Sequence, residues 1–491
     1  MWRVKSLDTS LEQSERNPLL RSLGPVQLTL FGVGSTIGTG IFVLTSQAAQ
    51  EAGPGMIVSF ILAAIVCGIA TLCYAELAAM APISGAAYVY VYASFGEFWA
   101  WIVGWALVLE YAISASAVAV GWSGYLVGLL EHSALHVVLP VKFTNGPYGG
   151  GIINLPAVLL CLVVTLLLVV GTQESARVNA FFVTVKVLAL GSFVVMSLPA
   201  IKDTNFHPFA PLGVAGITNA AASIFFTFIG FDAVATAAEE TRNPQRNLPI
   251  GLFGALLVVT LTYLLVAIGA AGTFGAQPMK NIDGVPLLAG SKTLAERCEQ
   301  LASGSHQSLA CSHEGLASIL RQLGHPAAAG WLGLAAFIAL PSVVMMLIYG
   351  QTRIFFVMAR DGLIPDRLAR THPRWKTPYV VTLCTGIAVA FASALLPVGR
   401  LAAIANSGTL FAFFLVSLAV LRLRYTEPSR NRPFRTPAVW FVASVSCLGC
   451  FVLFLFLSRE AKLVLPLWSA IGLTIYGLYG VRRSRLVRGG A

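Results

Sequence analysis

The sequence predicts an all-α polytopic membrane protein in which the first and sixth spans are interrupted. Three observations predict it. The 491 residues are 57% hydrophobic and only 11% charged, with a mean hydropathy of +0.78. Soluble domains of this length do not have that composition. Apolar runs that reach the length needed to cross hydrocarbon, about 20 residues, recur along the whole chain. Two of these runs are broken by glycine and polar residues, and they stand five spans apart.

Twelve spans are expected, at about 27–48, 55–80, 99–130, 152–171, 178–199, 214–239, 250–272, 330–359, 379–397, 401–423, 437–457 and 463–482. An even number puts both termini on one side. Of the Lys and Arg residues, 22 then fall on that side and nine on the other, with Lys186 inside a span. Cationic loops are retained in the cytoplasm, so both termini are expected there. The net charge of +11 is therefore a topology signal, and partly a match to anionic lipid. It does not point to nucleic acid. Residues 1–26 lack an apolar core segment, so no cleavable signal peptide is expected.

Residues 1–26 read as a mobile cytoplasmic tail, with Pro18 to Leu23 along the interface. Span 1 contains GSTIGTGIF, Gly34 to Phe42. Three glycines among Ser35, Thr36 and Thr39 make a poor continuous helix. In a bilayer, freed backbone groups survive only where they line an enclosed cavity, and there their N–H groups can hold an anion. Glycine packing between helices is the plainer alternative. Span 2 ends near Glu76, Pro82 to Gly85 turn the chain, and Tyr88, Tyr90 and Tyr92 suit an interfacial segment. Span 3 carries Glu110 and span 5 carries Lys186, both expensive in hydrocarbon unless paired.

Span 6 reads SIFFTFIGFDAVATAAEETRNP, with Gly230 among phenylalanines and Asp232 directly after Phe231. Matching interruptions in spans 1 and 6 are the sequence mark of an inverted repeat with a site between the halves. The divisions are a tail 1–26, a first repeat 27–200, a second repeat 201–436, helices 11 and 12 at 437–482 and a basic tail 483–491. The second repeat includes a long external loop at about 275–327. Cys298 and Cys311 share that loop and are expected to pair in an oxidising compartment. The other six cysteines lie in apolar spans as packing residues, and neither a metal site nor a cofactor is expected. Spans 11 and 12 carry no charge and suit a peripheral or oligomerising role.

These residues resemble the amino acid–polyamine–organocation (APC) superfamily, and most nearly its bacterial cationic amino acid transporters. The resemblance rests on GVGSTIGTGIF, YAELAAMAPISGAAYVY, GWALVLEYAISASAVAVGWSGY, FFTFIGFDAVATAAEETRNPQRNLPIG, GQTRIFFVMARDGLIP and NSGTLFAFFLVSLAVLRLR. It covers about residues 20–436. It implies a LeuT-type five-plus-five inverted repeat with helices 1 and 6 broken, two further helices, and alternating access to a central site. It assigns the substrate carboxylate to the N–H groups of Gly38, Thr39 and Gly40. The substrate ammonium falls to carbonyls at Thr36, Phe226, Thr227 and Ile229, with Glu110 near the substrate. Phe231 and Asp232 become the gate. Lys186 becomes the coupling group, where sodium stands in sodium-coupled relatives, with Ser342 beside it. The chain departs from the pattern at Pro341, where Thr is common, and at Ala106, where Asp is common.

The function expected from this is proton-coupled symport of L-amino acids across the plasma membrane, or the inner membrane of a Gram-negative cell. Cationic amino acids, small neutral ones or both are the expected substrates. Amino acid, protons and lipid are the expected partners. An uncoupled exchanger or uniporter is the first alternative, and an amino-acid-binding membrane sensor is the alternative of another class. HExxH, nucleophile-elbow and Walker motifs are absent from the sequence, so an enzyme is not expected.

Overall fold

The computed structural model describes residues 4–5, 7–8, 11, 21, 23–83, 85–132, 136–171, 176–281, 284–289, 291–301, 309–311, 314–365, 367–368, 370–375 and 377–484. Most of the expected interfacial segment Pro18–Leu23 and most of the basic tail 483–491 lie outside the described residues. Among the described residues the fold is helical throughout, with two isolated β-bridges and no ladder. Nine of its helices are long and apolar enough to cross a membrane by length and composition, and two shorter apolar helices accompany them.

We label the principal helices in chain order. The first seven are α1 (Pro25–Thr36), α2 (Thr45–Ala52), α3 (Met56–Met80), α4 (Ala86–Phe95), α5 (Glu97–Glu131), α6 (Leu155–Val170) and α7 (Ala176–Ser197). Then come α8 (Gly213–Ile224), α9 (Pro244–Phe274), α10 (Lys292–Leu301), α11 (Gly315–Gln322), α12 (Pro326–Arg360), α13 (Tyr379–Leu395) and α14 (Val398–Thr426). The last two are α15 (Val439–Phe456) and α16 (Arg459–Ile475).

The central pillar is α5, packed by α12 and α14, while α9 packs on α1 and α3. Small residues permit these contacts. A Cβ at Gly251 would stand 2.7 Å from Leu28, and one at Gly121 would meet Thr39 at 2.1 Å. Without a hydrophobic driving force between helices in lipid, such close approach supplies the dispersion energy of packing. The last helix docks on α5 through stacked Trp105 and Trp468 rings, 4.7 Å apart, and Trp101 donates to the Gly472 carbonyl at 3.0 Å.

Two sequence expectations change here. Tyr88, Tyr90 and Tyr92 are not interfacial, being 1%, 0% and 2% exposed. The segment that carries them, α4, folds back against α5 and under α14, so these rings fill the core. The tail is also less free than a mobile segment. Leu7 is buried, Lys5 pairs with Asp361 at 2.9 Å, and Leu23 exchanges backbone hydrogen bonds with Glu240 and Arg242. The long loop at about 275–327, expected to be external, is pinned at three places. Cys298 and Cys311 are disulfide-bonded. Gln50 is buried, and its amide donates to the Met279 and Leu287 carbonyls while accepting from the Met279 N–H. Glu314 pairs with Arg321 at 2.8 Å and fills the notch that Gly128 leaves on α5.

Candidate functional site

Helix α1 stops at Thr36, because Ile37 turns to φ −72°, ψ 89°, and the chain becomes helical again only at Thr39 and the π-helical turn Gly40–Leu44. Opposite it, α8 ends at Ile224 and passes into a 3-10 turn, Phe225–Phe228. Ile229 is extended, Gly230 has φ +112°, and a single α-turn follows at Ala233–Thr236. The φ at Gly230 lies where an L side chain is strained. Both expected interruptions are thus present, and they touch. A Cβ at Gly40 would lie 2.7 Å from the Thr227 Cα, and one at Gly230 would lie 2.7 Å from the Ser35 carbonyl oxygen.

Freed carbonyls need donors, and four side chains provide them. The Ser35 hydroxyl donates to Gly230 O at 2.8 Å, joining the two breaks directly. Lys186, 1% exposed, donates from Nζ to Gly34 O at 2.8 Å. The Tyr263 hydroxyl on α9 lies 3.0 Å from Thr36 O and 2.9 Å from Thr227 O, sharing its proton between them. Asn406 on α14 donates to Ala222 O and Ser223 O at 2.8 and 3.0 Å, closing the end of α8. On the far side, Thr39 donates to Val118 O of α5 at 3.1 Å.

The residues expected at the site are placed as follows. Thr36, Gly38, Thr39, Gly40, Phe226, Thr227 and Ile229 all belong to the two adjoining breaks, and the Thr227 hydroxyl is buried without a partner. The carbonyls of Thr36 and Thr227, expected to receive an ammonium, already face Tyr263. Phe231 is buried between Tyr74 and Phe413, at ring distances of 6.2 and 5.3 Å. Glu110 and Asp232 lie in a separate buried polar cluster beside Phe231. The Ser342 hydroxyl donates to Ala339 O, one turn back on α12, which packs against the Lys186 helix α7.

Beside the breaks is an apolar cluster set apart from the main core. It comprises Leu44, Ala117, Phe226, Ile229, Leu401, Ala402 and Ala405, with Ile113 and Val120 packed on it. Four elements converge there: the start of the second half of span 1, α5, the span 6 break and α14. Sequence reading missed Tyr263, Asn406 and this cluster. Each of the first two is a hydrogen-bonding side chain visible within an apolar span, but among neighbouring Thr and Ser residues that the sequence does not distinguish from it.

The amino acid permease family profile matches residues 23–476. The chain is 39% identical to the branched-chain amino acid permease BcaP of Bacillus subtilis (strain 168), over 99% of both proteins. It is 38% identical to the methylthioribose transporter of the same organism, again over 99% of both. It is 35% identical to the vacuolar cationic amino acid transporter 2 of Arabidopsis thaliana, over 87% of this chain and 64% of that protein. These relatives are transporters and not enzymes. With a multi-helix membrane fold and a family match across nearly its whole length, the chain belongs to the amino acid permease family of the APC superfamily.

Proposed function

We propose that the chain is a secondary active transporter that moves L-amino acids with protons by alternating access. The proposed frame is a LeuT-type five-plus-five inverted repeat in twelve spans, with both termini in the cytoplasm of a plasma-membrane protein. The observation that carries the reading is the contact between the two interrupted spans. A helix start presents N–H groups and a partial positive charge of about half a unit. Gly38, Thr39 and Gly40 are therefore assigned to the substrate carboxylate. The ammonium is assigned to the span 6 break, where the Thr227 hydroxyl lacks a partner.

The side chain of the substrate is assigned to the apolar cluster of Leu44, Ala117, Phe226, Ile229, Leu401, Ala402 and Ala405. No charged residue belongs to it, and a basic side chain placed there would lose its hydration without a counter-charge. Neutral aliphatic amino acids are thus the preferred class. Glu110 lies one turn toward the cytoplasm from Ile113 and outside the cluster. A thermal-shift screen with the twenty amino acids tests this, since a ligand stabilises the fold by mass action. Leucine, isoleucine and valine should raise the midpoint most. Equal stabilisation by arginine or lysine refutes the assignment.

Lys186 is assigned the coupling role. Protonated, it makes a charge-assisted bond to Gly34 O, stronger than a neutral amine can make, and so ties α7 to the end of α1. Losing the proton weakens that tie, and substrate affinity and proton affinity become linked reciprocally. The test is uptake into proteoliposomes. Lys186→Ala should lose accumulation driven by a pH gradient while keeping exchange. Full accumulation in this variant excludes Lys186 as the coupling group. Wild-type uptake that ignores the pH gradient favours the uncoupled exchanger.

A further inference from the structure

A second set of buried polar groups lies beside Phe231. Its acids are Glu110 on α5 and Asp232 at the foot of the span 6 break, each 1% exposed. Both carboxylate oxygens of Glu110 and Oδ1 of Asp232 are buried with no hydrogen-bond partner. Among the described residues neither acid has a cationic partner. The two acids are within electrostatic reach of each other. The Tyr111 hydroxyl donates to Asp232 Oδ2 at 3.3 Å.

Every neighbouring element adds uncharged groups. Tyr74 on α3 and Tyr90 on α4 are fully buried, their rings are 6.1 Å apart, and both hydroxyls lack partners. The Tyr74 ring also meets Phe231, which places the cluster directly under that residue. The Cys67 thiol of α3 is within reach of Asp232. From α14, Gly408 lies against Glu110, and Thr409 turns its hydroxyl to Ala405 O. From α12, Gly350 packs on Tyr111, and the next residue, Gln351, leaves Oε1 buried and unpartnered.

Two buried carboxylates on neighbouring elements, linked through Tyr111, the residue after Glu110, and with no cationic partner among the described residues, cannot both remain ionised without desolvation cost and mutual repulsion. One proton removes the repulsion. The remaining orphan oxygens still need donors and acceptors, which buried water supplies where two or more polar groups converge. We propose that Glu110 and Asp232 hold one proton between them, hydrated at the Tyr74 and Tyr90 hydroxyls, as a proton site on the cytoplasmic side of the break and separate from Lys186. When the cytoplasmic side opens to solvent, both carboxylates ionise and the proton passes to water.

Infrared spectroscopy of the purified protein tests this without transport. Wild type minus the Glu110→Gln/Asp232→Asn double variant, at neutral pH, should show one protonated-carboxyl stretch and one carboxylate. Each single variant should shift or remove the protonated band, which covers a double variant that fails to fold. The band should persist in Lys186→Ala. Two carboxylates with no acid band, two acid bands, or loss of the band in Lys186→Ala overturns the proposal. So does removal of the band by sodium or potassium ions, which makes the ligand a metal cation. A protein that transports amino acids but lacks the band refutes this site and leaves the transport reading standing. A protein with the band that transports nothing does the reverse.

Discussion

Three glycines of the broken spans do different work at the residue scale. A Cβ at Gly40 meets backbone, the Thr227 Cα at 2.7 Å, while one at Gly38 meets only Val343 and Val118 at 3.4 Å or more. Gly40→Ala should therefore push the two breaks apart and abolish amino-acid binding by isothermal titration. Gly38→Ala should fold with little change in melting temperature. Gly230→Ala combines a φ of +112° with a 2.7 Å clash against Ser35 O. Its cost is expected to reach at least the strain of about 1–3 kcal/mol typical of such backbone. The glycines were legible in the sequence as a group, because a run of them inside an apolar span has few other uses. Their ranking was not legible, since it depends on which atoms of a segment nearly 200 residues away stand opposite each one. The same limit hid Tyr263. A tyrosine in a span can be seen, but the two carbonyls it bridges belong to two other spans.

Buried acids outside the site act as fasteners between elements. Glu76 on α3 accepts from both Nε and Nη2 of Arg424, at 2.8 and 2.9 Å, and from the Thr436 N–H at 2.7 Å. It also forms an ion pair with Arg432, whose Nε is 3.2 Å away without a hydrogen bond. This joins α3 to the end of α14 and the segment that leads to α15. Removing one partner of a buried pair leaves uncompensated charge, at a cost of about 3–5 kcal/mol. Glu76→Ala should thus lower the melting temperature measured by thermal shift well below that of an exposed control such as Asp203→Ala. The long loop at about 275–327 is fastened with a pH dependence of its own. Burial against α5 raises the Glu314 carboxyl above the usual glutamate value, and the Arg321 charge offsets only part of that. A raised group takes up its proton more readily in the docked state. Its contribution to docking is complete below the ordinary value, about 4.3, and is lost as pH rises through the raised one. Hydrogen exchange across α11 should therefore be slower at the acid end of that window. Glu314→Gln should flatten the dependence. Pairing of the loop cysteines followed from their sharing one external segment. The buried docking of Glu314 did not, because nothing local marks Gly128 as its socket.

At the scale of the whole molecule, helix identity was readable from hydropathy. Span ends were readable to within a few residues, as for span 3, expected at about 99–130 and observed at Glu97–Glu131. Folding back of α4 was not readable, because three alternating tyrosines look alike at an interface and in a core. Nor was docking of the tail, whose only sequence sign is a few charges and leucines. Asp361 carries that docking at the end of α12, receiving Lys5 at 2.9 Å and the Tyr88 hydroxyl at 2.8 Å. Asp361→Asn should free the tail. Brief trypsin treatment followed by mass spectrometry should then find cleavage after Lys5, a bond that the wild type protects. Protection unchanged in the variant means that Leu7 and its neighbours hold the tail without the ion pair.

The stacked indoles between α5 and α16 have an optical consequence. The chain has nine tryptophans, and none lies between residues 25 and 98 or between 123 and 330. Both interrupted spans, α3, α7 and α9 therefore contribute no tryptophan emission. Trp105 and Trp468 exchange reciprocal indole-to-carbonyl bonds at 2.8 and 2.7 Å, and Trp122 is bonded to Phe337 O at 2.8 Å. If the interrupted spans move as proposed, native tryptophan emission reports the surrounding helices and should stay constant. A single indole placed at Phe31, on the half-buried outer face of α1, would add a reporter to an otherwise dark moving part, read against a built-in internal standard.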